Sequence, residues 1–528
     1  MSKRKLREAP APADAHYARA LALWDGGRAR EAADAIDSAL RARPDFAEAL
    51  SMGAYILETN GKPEAALRFY LKAVERKPEL AVAWSNLGKL LFRFSKYAEA
   101  LAAFDAGLAA APLDADLLNS RAGALSKLGR LEESEAAARL ALRQRPDFAE
   151  AALNLGTAAL KRARPEEALA AYRGALRARP DWAEALNGEA LALRALGRIE
   201  EARSSFDRAV ALGSREAISG RGCVDLMLGD FERGWEGYEA RWIDGKSLAE
   251  ALGARFPLWR GPGDPARRVL VLNDHGLGDT LQFCRYLPLM ARAGAEATFV
   301  CPAKLHRLLA SSLDVRLAAS IPEGERFDAQ IAVSSLPRAF ATRIDSIPAS
   351  VPYLSPEPAR IANWSHRIGP DGFRIGLVWQ GNPDPEADMA RSYPLRAAEP
   401  LAKIAGVRLI ALQKGFGEEQ LAELPASLRV ETLGADYDSG PDAFVDAAAA
   451  MAGLDLVVTC DTSMAHLAGA LGRPVWVALK NDAEWRWLRD REDSPWYPTM
   501  RLFRQPAIGD WGAVFSAMAK ALNARLNP

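Results

Sequence analysis

The sequence is short of the residues from which protein-built redox and metal chemistry is made. Only four cysteines occur in 528 residues (Cys223, Cys284, Cys301 and Cys460), and none has C-x-x-C spacing. That usage predicts reduced thiols in a cytoplasmic protein rather than a disulfide framework. Five histidines, without an H-E-x-x-H pair or a His/Cys cluster, give no reason to expect a metal. Neither sign of charge prevails, with 68 Lys and Arg against 68 Asp and Glu, so no basic excess points to nucleic acid. Long apolar runs are also missing, which predicts no transmembrane segment, and MSKRKLREAPAPADAH lacks the apolar stretch of a secretory signal. The length suits two or three domains with sizeable cores.

What is present changes abruptly along the chain. Roughly the first 245 residues are rich in Ala, Leu, Arg and Glu, which predicts helices. Pro44, Pro78, Pro112, Pro146 and Pro180 recur every 34 residues, in contexts such as RPDFAEAL, KPELAVAW and RPDWAEAL. A second echo, Gly61-Lys62, Ser95-Lys96, Gly129-Arg130 and Gly197-Arg198, keeps the same period. Proline closing one helix and glycine turning between two, every 34 residues, is the tetratricopeptide signature, with about six repeats over 1–245. Ala and Gly at the repeated interior positions predict close helix approach, with Leu, Tyr, Phe and Trp filling the gaps. Such arrays wind into a superhelix whose groove holds peptides.

The array resembles the repeats of protein O-linked N-acetylglucosamine transferases, in which asparagines of the inner helices grip the acceptor backbone. In register, those positions read Met52, Asn86, Ser120, Asn154 and Gly188. The resemblance thus implies an acceptor groove at Asn86 and Asn154; the plainer alternative is two ordinary polar helix residues.

From FPLWRGPGDPARR onward, within a linker at 246–268, the pattern switches to short β-branched runs separated by amphipathic stretches. VLVLN (269–273), ATFVC (297–301), AQIAV (329–333), RIGLVW (374–379), RLIAL (408–412), LDLVVTC (454–460) and PVWVAL (474–479) predict parallel, doubly covered sheets. The proline-rich SIPASVPYLSPEP (346–358) separates two sets of strands, so a cleft is expected at their carboxyl ends.

Four loops at those ends carry unusual chemistry: HGLGD (275–279), WQGNPDPEADMARS (379–392), LQKG (412–415) and CDTSMAHLAGALGRPVW (460–476). In the last, Asp461, Thr462 and Ser463 open a helix whose free N–H groups favour a phosphate, and His466 sits on its first turn, placed to donate to a diphosphate or sugar oxygen. Arg391, Ser392 and Lys414 on neighbouring loops add cations and a hydroxyl for the same anion.

GLGDTLQFCRYLP, GLVWQGNP, RSYPL, LQKG, DTSMAHLAGALGRPVWV and SPWYPTMRLFRQ together resemble a bacterial family. It joins tetratricopeptide repeats to a glycosyltransferase domain similar to the heptosyltransferases of lipopolysaccharide synthesis (glycosyltransferase family 9). The resemblance implies an all-α repeat superhelix followed by an α/β body of GT-B type, two Rossmann-like doubly wound lobes. The acceptor-side lobe would span 269–350, and the nucleotide-sugar lobe with its C-terminal helix 351–528. It implies a cytoplasmic, inverting, metal-independent transferase moving a sugar from a nucleotide-sugar donor to a hydroxyl. The acceptor would be a protein brought by the repeats, such as flagellin or another surface protein. Implied donor-site positions are Asn382, Arg391, Ser392, Lys414, Asp461, Thr462, Ser463 and His466. Asp279 takes the place of the general base, on an acceptor loop with His275, Gly276 and Gly278. Pro385 and Glu386 stand where relatives carry a histidine and a basic residue, and His275 where they carry glutamine, so the sugar is not implied.

Asp279 has a competing reading as a cap of the helix that follows it; Thr280 and Gln282 could serve the acceptor too, or be ordinary polar residues of its first turn. The D-x-D triplets Asp114–Asp116 and Asp436–Asp438 read as solvated turns, and the aromatic-basic stretch 483–505 either stacks a base or sugar or, more commonly for such stretches, wedges the C-terminal segment across the two lobes. Rival functions are a repeat scaffold on a catalytically dead body, and a transferase acting on a saccharide or lipid-linked acceptor.

Overall fold

The computed structural model describes residues 12–241, 255–382, 388, 390–440 and 444–527. Most of 383–389, and 242–254 of the region ahead of β1, therefore lie outside the described residues, as does Asp442. The chain forms two compact units, Met1–Ala192 and Leu193–Pro528.

Among the described residues, fourteen helices follow one another between Pro12 and Tyr238, seven pairs by their order. The first pair, Pro12–Asp25 and Ala29–Ala42, precedes the region the proline count covers. Its turn residue Gly27 (φ 73°) has the same left-handed backbone as Gly61, Gly129 and Gly197. Two repeats adopt that conformation without glycine, at Ser95 (φ 59°) and Ala163 (φ 54°). Small residues do let the helices close up: a Cβ on Gly88 would stand 2.4 Å from the Phe104 ring, and one on Gly188 2.4 Å from Tyr172. Tyr172 thus occupies the space that an asparagine at 188 would need. The helices Ile199–Ala211, Arg215–Leu228 and Phe231–Tyr238 belong to the second unit.

The rest of the second unit holds two wholly parallel sheets. The first has the order β3-β2-β1-β4, from Arg316–Ala318, Glu296–Val300, Arg268–Leu272 and Ala329–Ala332. The second runs β10-β9-β8-β5-β6-β7, from Met500–Arg504, Val475–Leu479, Leu456–Cys460, Phe373–Val378, Val407–Ala411 and Val430–Thr432. β8 and β9 are buried at every residue, as strands covered on both faces must be. Three strands escape the sequence reading, and all are edges: β3 and β7 are only three residues long, and β10 is interrupted by Arg501 and Arg504. The helix Trp511–Leu526, capped by the Asp510 carboxylate, buries Trp511, Val514, Phe515, Met518 and Leu522 in the second sheet's core beside Trp379 and Tyr393.

Two buried arginines cross between the sheets. Arg285, beyond β1, donates to the carbonyl of Trp496 (2.7 Å) and to the Tyr353 hydroxyl (2.9 Å), with its guanidinium 4.5 Å from the Tyr353 and Tyr497 ring centres. Arg486, beyond β9, reaches the other way, to Asp279 and Gln282. Arg241, after the helix Phe231–Tyr238, donates to Ser334 Oγ (2.7 Å) and Asp274 (3.2 Å), fastening that helix to the ends of β4 and β1.

Candidate functional site

The carboxyl ends of strands from both sheets open on one cavity of about 480 Å³. β1 ends at Leu272, and the loop behind it is tied to itself: Asn273 Nδ2 donates to the His275 carbonyl (2.8 Å) and Thr280 Oγ1 to Asn273 Oδ1 (2.5 Å). The helix that follows, Leu277–Phe283, has Gly276 as its N-cap, with no side-chain capping bond. Asp279 therefore does not cap it. Its Oδ1 instead accepts from Arg486 Nη2 at 2.9 Å. Burial pushes this carboxyl up, but the Arg486 charge, then His275 and the Arg486 hydrogen bond, hold it below the ordinary aspartate range. It is ionised at neutral pH.

Opposite lie the groups expected to take an anion. Arg391, Asn382 and Lys414 line the cavity. Arg391 Nε is buried and has no hydrogen-bond partner among the described residues, a donor left over for a ligand. It fits because Gly381 passes close by; a Cβ there would lie 3.2 Å from Arg391 Nε. Lys414 is exposed and donates to the Ala435 carbonyl at 3.3 Å. Its loop is shaped by Gln413, whose Oε1 accepts from the N–H groups of Trp379 (3.2 Å) and Gln380 (3.1 Å) and whose Nε2 donates to the Phe416 carbonyl (2.8 Å). Ser392 is behind the cavity wall: its Oγ accepts from Gly381 N (2.9 Å) and donates to the Asp388 carboxylate, so it shapes the loop.

β8 ends at Cys460, and Thr462 is the N-cap of the helix Ser463–Ala470, its Oγ1 accepting from Met464 N at 3.3 Å. Thr462, Ser463 and Asp461 line the cavity. Asp461 is 6% exposed, and burial, with the nearby Glu484 carboxylate, pushes its pKa up to about 6. His466 is buried against Trp487, its ring stacked at 5.4 Å between centroids, and Nδ1 lies 2.9 Å from the Tyr497 hydroxyl. Burial, with the charge of Arg486, holds it well below the ordinary histidine range, so it faces the cavity as a neutral imidazole with Nε2 as its remaining ring nitrogen.

Gly276 and Gly278 line the same cavity, whereas His275 faces an adjoining chamber of about 290 Å³ lined also by Arg194, Cys223 and Tyr238. Asp279, Arg391, Asp461, Glu484 and Arg486 form a wall common to both. Thr280 and Gln282 are fully buried and bonded to Asn273 and Arg486, which corrects their reading as acceptor groups. Asp114 caps the helix Ala115–Lys127 and Asp116 pairs with Arg145 at 2.8 Å. Asp436 is an exposed partner of Arg367, but Asp438 is not a solvated turn residue: it lines the cavity and its Oδ1 accepts from Phe444 N at 2.8 Å. In the first unit, Asn154 Nδ2 is occupied by Asn119 Oδ1 (2.7 Å), while Asn86 is half-buried on the helix Ala81–Arg93.

Sequence reasoning missed Arg486, Glu484 and Arg285. Arg486 sits inside the aromatic-basic stretch 483–505, whose basic residues were the available signal. Among the described residues no group of three or more His, Cys, Asp or Glu is arranged to hold a metal ion, and no helix is long and apolar enough to cross a membrane.

The chain carries a tetratricopeptide-repeat array, joined to an α/β body of parallel sheets: residues 6–81, 85–149 and 153–217 match the family described as tetratricopeptide repeat. Over 328 residues it is 30% identical to Protein FlbA of Caulobacter vibrioides, covering 57% of this chain and 54% of that protein. The chain thus spans about half the length of that curated relative. Among solved structures it is similar to YrrB, a repeat protein with an unusual peptide-binding site (22% identity, 36% of this chain and 98% of that one, TM-score 0.32). It is also similar to PilW, a type IV pilus biogenesis factor (22% identity, 40% and 98%, TM-score 0.36).

Proposed function

We propose that the second unit is a glycosyltransferase of GT-B type that moves a sugar from a nucleotide-sugar donor to an acceptor hydroxyl, and that the repeats recruit a protein carrying that hydroxyl. The observation that carries the reading is the pairing, across one cavity, of an ionised carboxylate on the first sheet with an unsatisfied cation and a helix N-terminus on the second. Asp279 would take the acceptor proton while the acceptor oxygen attacks the anomeric carbon. The bond to the nucleotide phosphate breaks, and its electron pair leaves with the phosphate. Arg391, Lys414 and the N–H groups at Ser463 would stabilise the charge on that leaving group, without a metal being required. The parallel sheets, with their site at the strand ends, suit such a donor. Peptide or protein binding is the general use of tetratricopeptide grooves, which supports a protein acceptor over a free saccharide.

The test is a panel of nucleotides and nucleotide sugars, scored for thermal stabilisation of the full chain and for release of nucleotide. At least one donor should raise the melting temperature and be turned over slowly, and Arg391→Ala should weaken both effects. If no nucleotide or nucleotide sugar stabilises the protein at millimolar concentration, the donor assignment is wrong; stabilisation without any turnover would favour the scaffold reading.

A further inference from the structure

The Asp279 carboxylate is held by a residue that does not belong to its own sheet. Arg486 follows β9 in the second sheet, is 6% exposed, and spreads its guanidinium over three partners. Nη2 donates to Asp279 Oδ1 (2.9 Å) and lies 2.8 Å from Glu484 Oε2, Nε donates to Glu484 Oε2 (2.9 Å), and Nη1 donates to the buried Gln282 side chain. The loop carrying Arg486 is itself braced: Arg504 Nη2 donates to the carbonyls of Trp487 and Leu488, each at 2.7 Å, and Leu488 has φ 51°. Asp279 Oδ2 has no donor among the described residues and lies 3.8 Å from where a Cβ on Gly276 would stand. One oxygen is therefore clamped, and the other is left for a ligand.

We propose that Arg486 is the positioning residue of Asp279: from the opposite sheet it clamps Oδ1 and aims Oδ2 at the acceptor hydroxyl. The proposal rests on the reading of Asp279 as the general base. In the reaction, the acceptor O–H proton passes to Oδ2, the acceptor oxygen bonds to the anomeric carbon, and the nucleotide phosphate departs with the electron pair. Arg486 neither gains nor loses a proton.

The charged and titratable groups that face Asp279 are few. His275 is on its own loop, Arg486 and Glu484 are on the β9 loop, neutral His466 is on the helix Ser463–Ala470, Tyr238 is on the helix Phe231–Tyr238, and Arg391 and Asp461 share its cavity wall. Of these, Arg486 alone makes a direct ion pair with it. Removing the cation must raise the proton affinity of Asp279 and free its rotation, and a merely structural arginine would do neither.

The experiment compares Arg486→Gln and Arg486→Lys in the full chain, by melting temperature, donor KM and the pH profile of kcat/KM for transfer. Arg486→Gln should move the acid limb up by about one pH unit or more and lower kcat at pH 7 by about ten-fold or more, with donor KM little changed. Arg486→Lys should keep the limb near its wild-type place. A folded Arg486→Gln protein with an unmoved limb and wild-type kcat overturns the proposal. So does a rise in donor KM alone, which would make Arg486 a ligand of the donor phosphate. Should the glutamine variant not fold, the wild-type profile decides: an acid limb below the ordinary aspartate value of about 3.9 supports the clamp, and one at or above it overturns it. Asp279→Asn separates the two readings, because full transfer in that variant removes the base itself, whereas lost transfer beside an unmoved Arg486→Gln profile removes only the clamp.

Discussion

Gly278 and His466 face each other across the cavity, so closely that a Cβ on Gly278 would stand 3.0 Å from imidazole Cδ2 and 3.6 Å from the Cα of Ser463. The imidazole has no room to yield, because Trp487 stacks on its face and Tyr497 holds Nδ1. Gly278→Ala should therefore push the two helix starts apart, costing about 1–3 kcal/mol of stability and weakening nucleotide binding. Calorimetry and thermal melting read both, and an alanine variant with wild-type values of each would mean that the two helix starts are not held in contact.

Asp279→Asn keeps the shape of the side chain and an oxygen for Arg486, but cannot take a proton. A general base contributes typically ~10²–10⁴-fold. The variant should fold, bind donor normally and lose transfer by about two orders of magnitude or more. The helix-cap alternative, in which Asn would substitute freely, already conflicts with the bond to Arg486. Near-normal transfer in a well-folded variant would sink the mechanism.

Asp461 gives the site a pH dependence of known sign. Its pKa of about 6 in the folded chain lies above the ordinary value, so the stability linked to it is full below pH 4 and is lost as pH rises through 6. The difference amounts to about 2–3 kcal/mol, shared with Glu484 and Arg486. Asp461→Asn should be more stable than wild type at pH 7, and its advantage should shrink to well under half by pH 4.5, by denaturant titration at the two pH values. For an anionic nucleotide, affinity should rise in wild type as pH falls from 7 to 5, and rise less in the variant. A pH-independent stability difference would place the raised pKa elsewhere.

Ser95 occupies the turn position where four other repeats have glycine at φ 71–73°. A non-glycine residue in that conformation costs roughly 1 kcal/mol. Ser95→Gly should therefore stabilise the array by about 0.5–1 kcal/mol, and Ala163→Gly likewise. A fall in melting temperature on either change would show that the serine or alanine makes a compensating contact.

Removing residues 1–180 leaves the helix Ala183–Ala195 and with it Arg194, which pairs with Asp482 at 3.5 Å beside the cavity. The shortened protein should still bind and slowly hydrolyse a donor, yet fail to modify a protein substrate. Full-rate modification without those residues would make the repeats a localisation device.

What could be read from the sequence follows physical rules. The central strands were legible because burial on both faces demands unbroken runs such as LVVTC and VWVAL, and the loops behind them because glycine, carboxylate and hydroxyl at a strand end have few other uses. Three of the four edges were illegible, unlike the buried edge β4: β10 carries Arg501 and Arg504, since only part of that strand is covered. The first helix pair was passed over although Pro10 and Gly27 keep the period; Pro10 itself lies outside the described residues. Position 188 has no room for an asparagine for a packing reason that no pattern of polar residues reveals, the ring of Tyr172. Arg486 was hidden because its partner Asp279 is 207 residues away in the chain, and periodicity says nothing about pairs so far apart.

Arg285 and Arg486 are sunk in opposite directions, each from one sheet into the other's neighbourhood. A body of two sheets joined by a connector is built to open like a clamshell. In this one, every opening stroke would have to draw two guanidiniums off the carbonyls, hydroxyl and carboxylates that compensate their burial. The gap at the cavity is thus tied to those partners, and water has to take the place of each before it can widen.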